Sequence, residues 1–356
     1  MDTNKFSEKK FYTCDITDGD SYRQGYLDSV KRYIKKELDG SEKKRDAFCP
    51  PSLMAQNREE YRKKYTDMIG QPEYPSDIPT AEREYVGEDD FSKIYRMSIE
   101  VMEDFFFYGM LMIPHGVERA PLIIAQHGGG GTPEKCSDMW GENNYGFFVK
   151  RALERGFIVF APQIMVWSYK VADEGDAPRA GVPYGHRRDY DTQLKRLGMS
   201  LTGLEVFCIR RAIDHLVTLD CIDGESIGMM GLSYGGYFTL HTMAADTRIK
   251  AGYAAGFFND RGYECFNDWG YKNSADTFQD AEVAGLCAPR LLTVDVGRED
   301  PVFGYATSIG EAKRAKAYYE ASGAADRFTY NLWNGGHRFD TESDGFEKLF
   351  SELCRK

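Results

Sequence analysis

Apolar and polar residues change their rhythm along the chain near residue 95. Upstream, apolar positions recur at helical spacing over 28–38 and 59–69, with Gly40 and Gly70 where helix C-caps are expected. Cys49-Pro50-Pro51 and the stretch from Pro72 to Pro79 break that pattern, and the run from Glu42 to Arg45 reads as a solvated turn. From Tyr95 the period is two. Tyr95, Met97, Ile99 and Val101 alternate with Arg96, Ser98 and Glu100, as in a half-buried strand. Glu103-Asp104 turns the chain into a second strand over 105–113. Beyond it, short continuous apolar runs at 121–126, 157–161, 226–232, 249–255, 291–296 and 328–333 read as buried strands. Helical patterns lie between and after them, at 145–154, 192–219, 234–245, 306–322 and 345–353. Apolar strands alternating with helices predict an α/β fold: a mostly parallel sheet covered on both faces, with the opening hairpin antiparallel at one edge.

This rhythm divides the chain into an N-terminal helical extension, 1–90, and a catalytic-sized domain, 91–356. A Gly-, Pro- and charge-rich segment, 162–191, interrupts the domain between a strand and a helix. Irregular connections of that length are uncommon and often functional. The hydrophobic content of 42% excludes wholesale disorder. Acids outnumber bases by 56 to 45, so nucleic acid and anionic membranes are not expected partners. There is no apolar run of the ~20 residues a membrane span needs. The first ten residues lack the apolar stretch of a secretory signal, which suggests a cytoplasmic protein. Eight scattered cysteines without a C-x-x-C pair predict free, mostly buried thiols.

Chemistry concentrates in the stretch from Ser226 to Gly236. Gly231-Leu232-Ser233-Tyr234-Gly235 is a G-x-S-x-G set between a strand and a helix. Such a turn strains the central residue and lifts its side chain off the sheet, and small neighbours avoid a clash. A serine nucleophile needs a base, and the base an orienting acid, here expected in the order Ser, acid, His. His115, His127 and His186 precede the serine, His215 lies mid-helix, and His241 sits two turns into the helix after it. His337 remains, on the glycine-rich turn after the last strand. Asp300 is the acid best placed after the 291–296 strand, with Glu299 and Asp295 as alternatives. Two N–H donors are needed for an oxyanion. Tyr234 supplies one, and Gly129, then Gly130, of the loop His127-Gly128-Gly129-Gly130-Gly131 the other. Thr132-Pro133 follows that loop, where a phosphate-binding loop would have Gly-Lys-Ser/Thr.

These segments resemble the α/β-hydrolase superfamily, and within it the dienelactone-hydrolase-like, acetyl xylan esterase-like branch. The likeness lies in HGGGGTPE (127–134), LKRLGMSLTGLEVFCIRRAIDHL (194–216), GLSYGGYFTLHTMAADTRIKA (231–251) and FFNDRG (257–262), and extends over 92–356. It implies an α/β-hydrolase fold with helices flanking the sheet. It also implies carboxylic ester hydrolysis by a Ser233-Asp300-His337 triad through an acyl-enzyme, with acetyl esters of carbohydrates among the substrates. Dienelactone hydrolases proper use a cysteine nucleophile, so Ser233 points to ordinary acyl esters. Ser-Tyr-Gly-Gly-Tyr (233–237) also looks like the elbow of prolyl-oligopeptidase-type peptidases, which place a long β-propeller before the domain. A serine peptidase and a non-catalytic hydrolase-like scaffold remain alternatives. Trp140 and Tyr145 after the glycine loop, and Trp167, Arg187 and Arg188 in the long insert, are candidates for substrate binding. Tyr169, Arg179, Tyr184 and His186 lie in the same insert. Neither metal nor organic cofactor is implied; the expected partner is a small ester substrate, and the chain is compatible with a homo-oligomer.

Overall fold

A computed structural model describes residues 9–141, 143–166, 184–262 and 266–355. In chain order the strands are β1 (Thr80–Glu88), β2 (Ser92–Met102), β3 (Phe105–Pro114), β4 (Ala120–Gln126), β5 (Ile158–Pro162), β6 (Ile222–Leu232), β7 (Ile249–Ala255), β8 (Leu291–Gly297) and β9 (Phe328–Trp333). They form one sheet in the order β1-β2-β3-β5-β4-β6-β7-β8-β9. The pairings β1–β2, β2–β3 and β3–β5 are antiparallel, and those from β5 through β9 are parallel. Every residue of β5 and of β8 is buried, which is why their sequences carry no alternation. β2 does alternate, because only one of its faces is fully covered.

The helices are α1 (Asp20–Phe48), α2 (Pro51–Gln56), α3 (Arg58–Ile69), α4 (Pro133–Cys136), α5 (Phe148–Glu154), α6 (Tyr184–Arg196), α7 (Leu201–Leu216), α8 (Tyr234–Ala245), α9 (Asp280–Cys287), α10 (Tyr305–Ala321) and α11 (Gly345–Leu353). Two apolar clusters lie on opposite faces of the sheet. Residues of α3, α7, α8, α9 and α10 build the larger. Phe148 and Val149 of α5 and Phe346, Leu349 and Phe350 of α11 build the smaller. Among the described residues no helix is long and apolar enough to cross a membrane. The described cysteines are free thiols, with Cys14 and Cys354 exposed.

The structure departs from the sequence pattern in five places. α1 runs through Gly40 to Phe48, so the predicted turn from Glu42 to Arg45 is helical. The reason is tertiary: Arg45 is buried and pairs with Glu282 at 2.7 Å and Glu311 at 2.8 Å. That anchorage outweighs the ~1 kcal/mol a mid-helix glycine costs. Residues 80–88, grouped by composition with the helical extension, are a strand that pairs with β2. The helix expected over 192–219 is two helices, separated where Gly198 takes φ 78° and Ser200 caps α7 by accepting the Gly203 N–H. α6 also begins inside the segment read as irregular. α9 escapes pattern reading because all of its residues are buried, which erases periodicity.

The extension is bound to the domain by polar contacts as well as apolar ones. The Tyr65 hydroxyl lies 2.5 Å from His241 Nδ1, and the Tyr318 hydroxyl donates to the Cys49 carbonyl at 2.6 Å. The backbone of Ile69 and Gly70 presses so closely on Gly203 that any side chain there would overlap it.

Candidate active site

β6 ends at Leu232 and α8 begins at Tyr234, leaving Ser233 alone in the turn at φ 61°, ψ −120°. L-residues rarely occupy that region, and holding one there costs roughly 1–3 kcal/mol. The surroundings enforce it. The Ser233 N–H donates to the Ala255 carbonyl at 2.8 Å, and its own carbonyl accepts the Tyr237 N–H at 2.9 Å. A Cβ on Gly231 would overlap the Gly235 carbonyl, and one on Gly235 would overlap the Gln126 carbonyl. Both glycines of the G-x-S-x-G set are therefore demanded by close backbone approach.

Asp300 follows β8. Its Oδ1 accepts the N–H groups of Val302 (2.7 Å) and Phe303 (3.1 Å), and its Oδ2 lies 2.7 Å from His337 Nδ1. The loops carrying the two residues are tied together: the Arg298 N–H donates to the Trp333 carbonyl (2.9 Å) and the Glu299 N–H to the Gly335 carbonyl (3.0 Å). The Asn144 side-chain amide holds the His337 carbonyl at 2.7 Å. The imidazole packs against Gly256, where a Cβ would stand 3.2 Å from Nδ1 and Cε1. Gly256 directly follows Ala255, the acceptor of the Ser233 N–H, so β7 brings the histidine to the elbow. Asp300, rather than Asp295 or Glu299, is the acid on His337. Asp295 points into the core instead, accepting the Tyr253 hydroxyl, the Asn331 amide (3.1 Å) and the Asp340 N–H (3.1 Å). Burial pushes its carboxyl up to about 6.

The glycine loop after β4 lies against the elbow; a Cβ on Gly128 would meet Ser233 Cβ at 3.3 Å. The Gly128 N–H donates to the Tyr145 hydroxyl (2.7 Å), Gly130 to the Val166 carbonyl (2.7 Å) and Gly131 to the Gly128 carbonyl (3.1 Å). Gly130 is thus removed from the candidate oxyanion donors by its own hydrogen bond. Gly129 is the one of the four whose N–H makes no hydrogen bond among the described residues. His127 braces the loop from below. Its Nε2 accepts the Ile164 N–H at 3.1 Å, which leaves Nδ1 to donate to the Gly128 carbonyl at 2.8 Å. Burial pushes the His127 ring down to about 4, so it is neutral.

The substrate candidates fare differently. Tyr145 is buried, stacked on Phe148 with its hydroxyl on Gly128, and so braces the loop. Arg187 is buried too, and its guanidinium is taken up by Glu205 (2.9 and 2.6 Å), Asp268 (2.6 Å) and the Met165 carbonyl (2.8 Å). Both side chains are buried, and the Arg187 guanidinium is already bound to two carboxylates. Arg188 is exposed on α6, as is His186. Trp140 is exposed beside a cavity of about 440 Å³ that also touches Thr132, Glu134 and Met139. Trp167, Tyr169 and Arg179 lie outside the described residues, and of Tyr184 only the backbone is described. The structure adds residues that sequence reading missed. Phe303 sits with its ring 5.9 Å from His337 and stacks on Trp269. Asp268 accepts the Tyr234 hydroxyl at 3.0 Å, while Arg187 lies over the Tyr234 ring at 4.9 Å. No local motif marks Phe303, Trp269 or Asp268; only the fold brings them to His337 and Tyr234.

Solved structures share this arrangement of strands and helices. A candidate acetyl xylan esterase from Bacteroides fragilis superposes with a TM-score of 0.64 at 13% identity, over 83% of this chain and 81% of its own. A glucuronoyl esterase from Solibacter usitatus gives 0.61 at 14% identity, over 84% and 92%. Acetyl xylan esterase 1 from a Thermoanaerobacterium species gives 0.55 at 16%, over 84% and 94%. The chain has the α/β-hydrolase fold. Residues 209–282, which hold the elbow, match the prolyl oligopeptidase family. No curated protein sequence matches the chain. In this fold β6 leads into the Ser233 turn, the loop after β8 carries Asp300 and the loop after β9 carries His337.

Proposed function

We propose that the protein hydrolyses carboxylic esters through Ser233, with acetyl esters of carbohydrates as the favoured substrate class. The observation that carries this reading is the strained Ser233 turn flanked by the His337–Asp300 pair at 2.7 Å. With Nδ1 held by Asp300, His337 Nε2 takes the Ser233 Oγ proton as Oγ attacks the ester carbonyl carbon. The carbonyl oxygen becomes an oxyanion facing the N–H groups of Gly129 and Tyr234. Collapse breaks the ester C–O bond, and the alcohol leaves with the proton from His337. Water then gives a proton to His337 and its hydroxide to the acyl carbon. The free acid leaves and Ser233 is regenerated. Asp300 keeps the tautomer fixed and balances the imidazolium charge. The carbohydrate preference draws on the esterases named above, whose folds match this one over more than four fifths of the chain.

The match of 209–282 to the prolyl oligopeptidase family supports a second reading, a serine peptidase. The two differ in leaving group, so one comparison separates them. The esterase reading expects p-nitrophenyl acetate and acetylated sugars to be cleaved far faster than Gly-Pro- or Ala-p-nitroanilide; the opposite order selects the peptidase. A fluorophosphonate probe should label the wild type and spare Ser233→Ala, whose kcat falls by roughly 10⁶. Persistent labelling in that variant, or activity on neither substrate class, overturns the proposal.

A further inference from the structure

The C-terminal half of α1 is seated on the domain by one face. Ser41 donates to Asp276 at 2.8 Å, Arg45 pairs with Glu282 and Glu311, and Phe48 meets Phe278 edge-on at 5.4 Å. At about 100° per residue, the same arc of the helix continues N-terminally through Leu38, Ile34, Val30, Leu27 and Tyr26. There it is apolar but bare. On the arc Tyr26 is 75% exposed, Ile34 51% and Leu27 46%, and Tyr33 (65%) and Tyr22 (82%) flank it. The bare half leaves the body beside Gly262, in the turn after β7, at the strand ends that carry Ser233.

Such a half-helix is poorly equipped to stand alone. Isolated helices of ~12–15 residues are marginal in water, and this one contains Gly25, Ser21, Ser29 and three tyrosines, all weak helix formers. Packing must stabilise it, and its charge pattern says what kind of surface fits. Residues 15–28 carry four aspartates against one arginine, and residues 29–37 four bases against one glutamate. Antiparallel pairing of two copies lays each acidic half on the other's basic half, whereas parallel pairing sets like on like. The charges inside the apolar arc agree. With the two-fold axis at Val30, Tyr26 meets Ile34 of the partner subunit, Leu27 meets Tyr33 of the partner subunit, and Arg23 meets Glu37 of the partner subunit. A two-fold contact requires such self-complementarity. Three tyrosines and two aliphatic side chains per copy offer roughly 1,200 Å² for the pair, the lower end of stable interfaces.

We propose that the protein forms a two-fold dimer through antiparallel pairing of the N-terminal half of α1 with that of a second copy. The dimer does not depend on the esterase assignment, and its test reads mass. Light scattering and sedimentation of the full chain should give twice 40.5 kDa. The variant Tyr26→Glu/Ile34→Glu should be a monomer with wild-type circular dichroism. Arg23→Glu should raise the dimer dissociation constant about tenfold, and adding Glu37→Arg should restore it. A monomeric wild type, a dimer indifferent to Tyr26→Glu/Ile34→Glu, or a failure of Glu37→Arg to rescue Arg23→Glu would each overturn the proposal. So would a monomer that cosediments with phosphatidylcholine–phosphatidylserine vesicles, since the face would then be a membrane surface.

Discussion

His127 and Ser233 show how single residues are bent to the site's needs. Ser233 holds a backbone angle that glycine would take freely, because strand, helix and glycine loop leave it no other path. His127 was set aside in sequence reasoning because it precedes Ser233, yet it fixes the glycine loop that lies against the Ser233 turn. Its burial has a consequence for stability. Between pH 6.5 and about 4 the unfolded chain binds a proton at His127 that the folded chain refuses. Stability from this group is therefore complete above pH 6.5 and is lost as the pH falls. From pH 7 to pH 5 the loss is about 2 kcal/mol. Asp295 acts in the opposite sense: its carboxyl, raised to about 6, binds a proton in the folded state that the unfolded chain releases. The His127 contribution is thus isolated by difference. Urea unfolding at pH 7 and pH 5 should show a stability drop in the wild type that is smaller by about 2 kcal/mol in His127→Asn. Equal pH dependence in both proteins would remove the role assigned to the buried ring.

α6, α7 and the segment before α9 are joined by a single buried cation. Arg187 comes from α6, Glu205 from α7, and Asp268 from the loop that also holds the Tyr234 hydroxyl. The sequence made Arg187 a substrate ligand because it stands in a loop-like, charge-rich segment. The structure makes it a rivet, since its two carboxylate partners lie 18 and 81 residues away and no local pattern reveals them. Arg187→Met should leave both carboxylates buried without a cation and cost about 3–5 kcal/mol in urea unfolding. It should also lower kcat more than it raises KM, because Tyr234, the proposed oxyanion donor, loses the guanidinium over its ring. Arg187→Lys should restore little, as an ammonium cannot bridge both carboxylates with the same geometry. A variant as stable and active as the wild type would refute this account.

For the whole molecule, the decisive junction is between the extension and the α/β-hydrolase domain. Arg45 supplies the charge at that junction; burial pushes the facing Glu311 carboxyl upward, and the guanidinium is what keeps that pair in place. Arg45→Ala should loosen α1 while the domain stays folded. Limited proteolysis should then cut within 20–48 at least about a hundredfold faster than in the wild type. Unchanged cleavage would mean that the apolar contacts of Phe48, Tyr61 and Tyr65 suffice. By itself the sequence determined the alternation of strands and helices and the hairpin at the edge. It also singled out Ser233, His337, Asp300 and the glycine loop. Those signals are local: periodicity, turn chemistry, and a nucleophile between two glycines. Only the tertiary structure decided that Gly128, Gly130 and Gly131 of the loop spend their N–H groups on Tyr145, Val166 and Gly128, and that Tyr145 and Arg187 are braces. It also decided that α1 continues past Gly40 and that residues 80–88 join the sheet. Each of those outcomes depends on a partner brought from far along the chain, and burial of charge or backbone against such a partner overrides what the local sequence prefers.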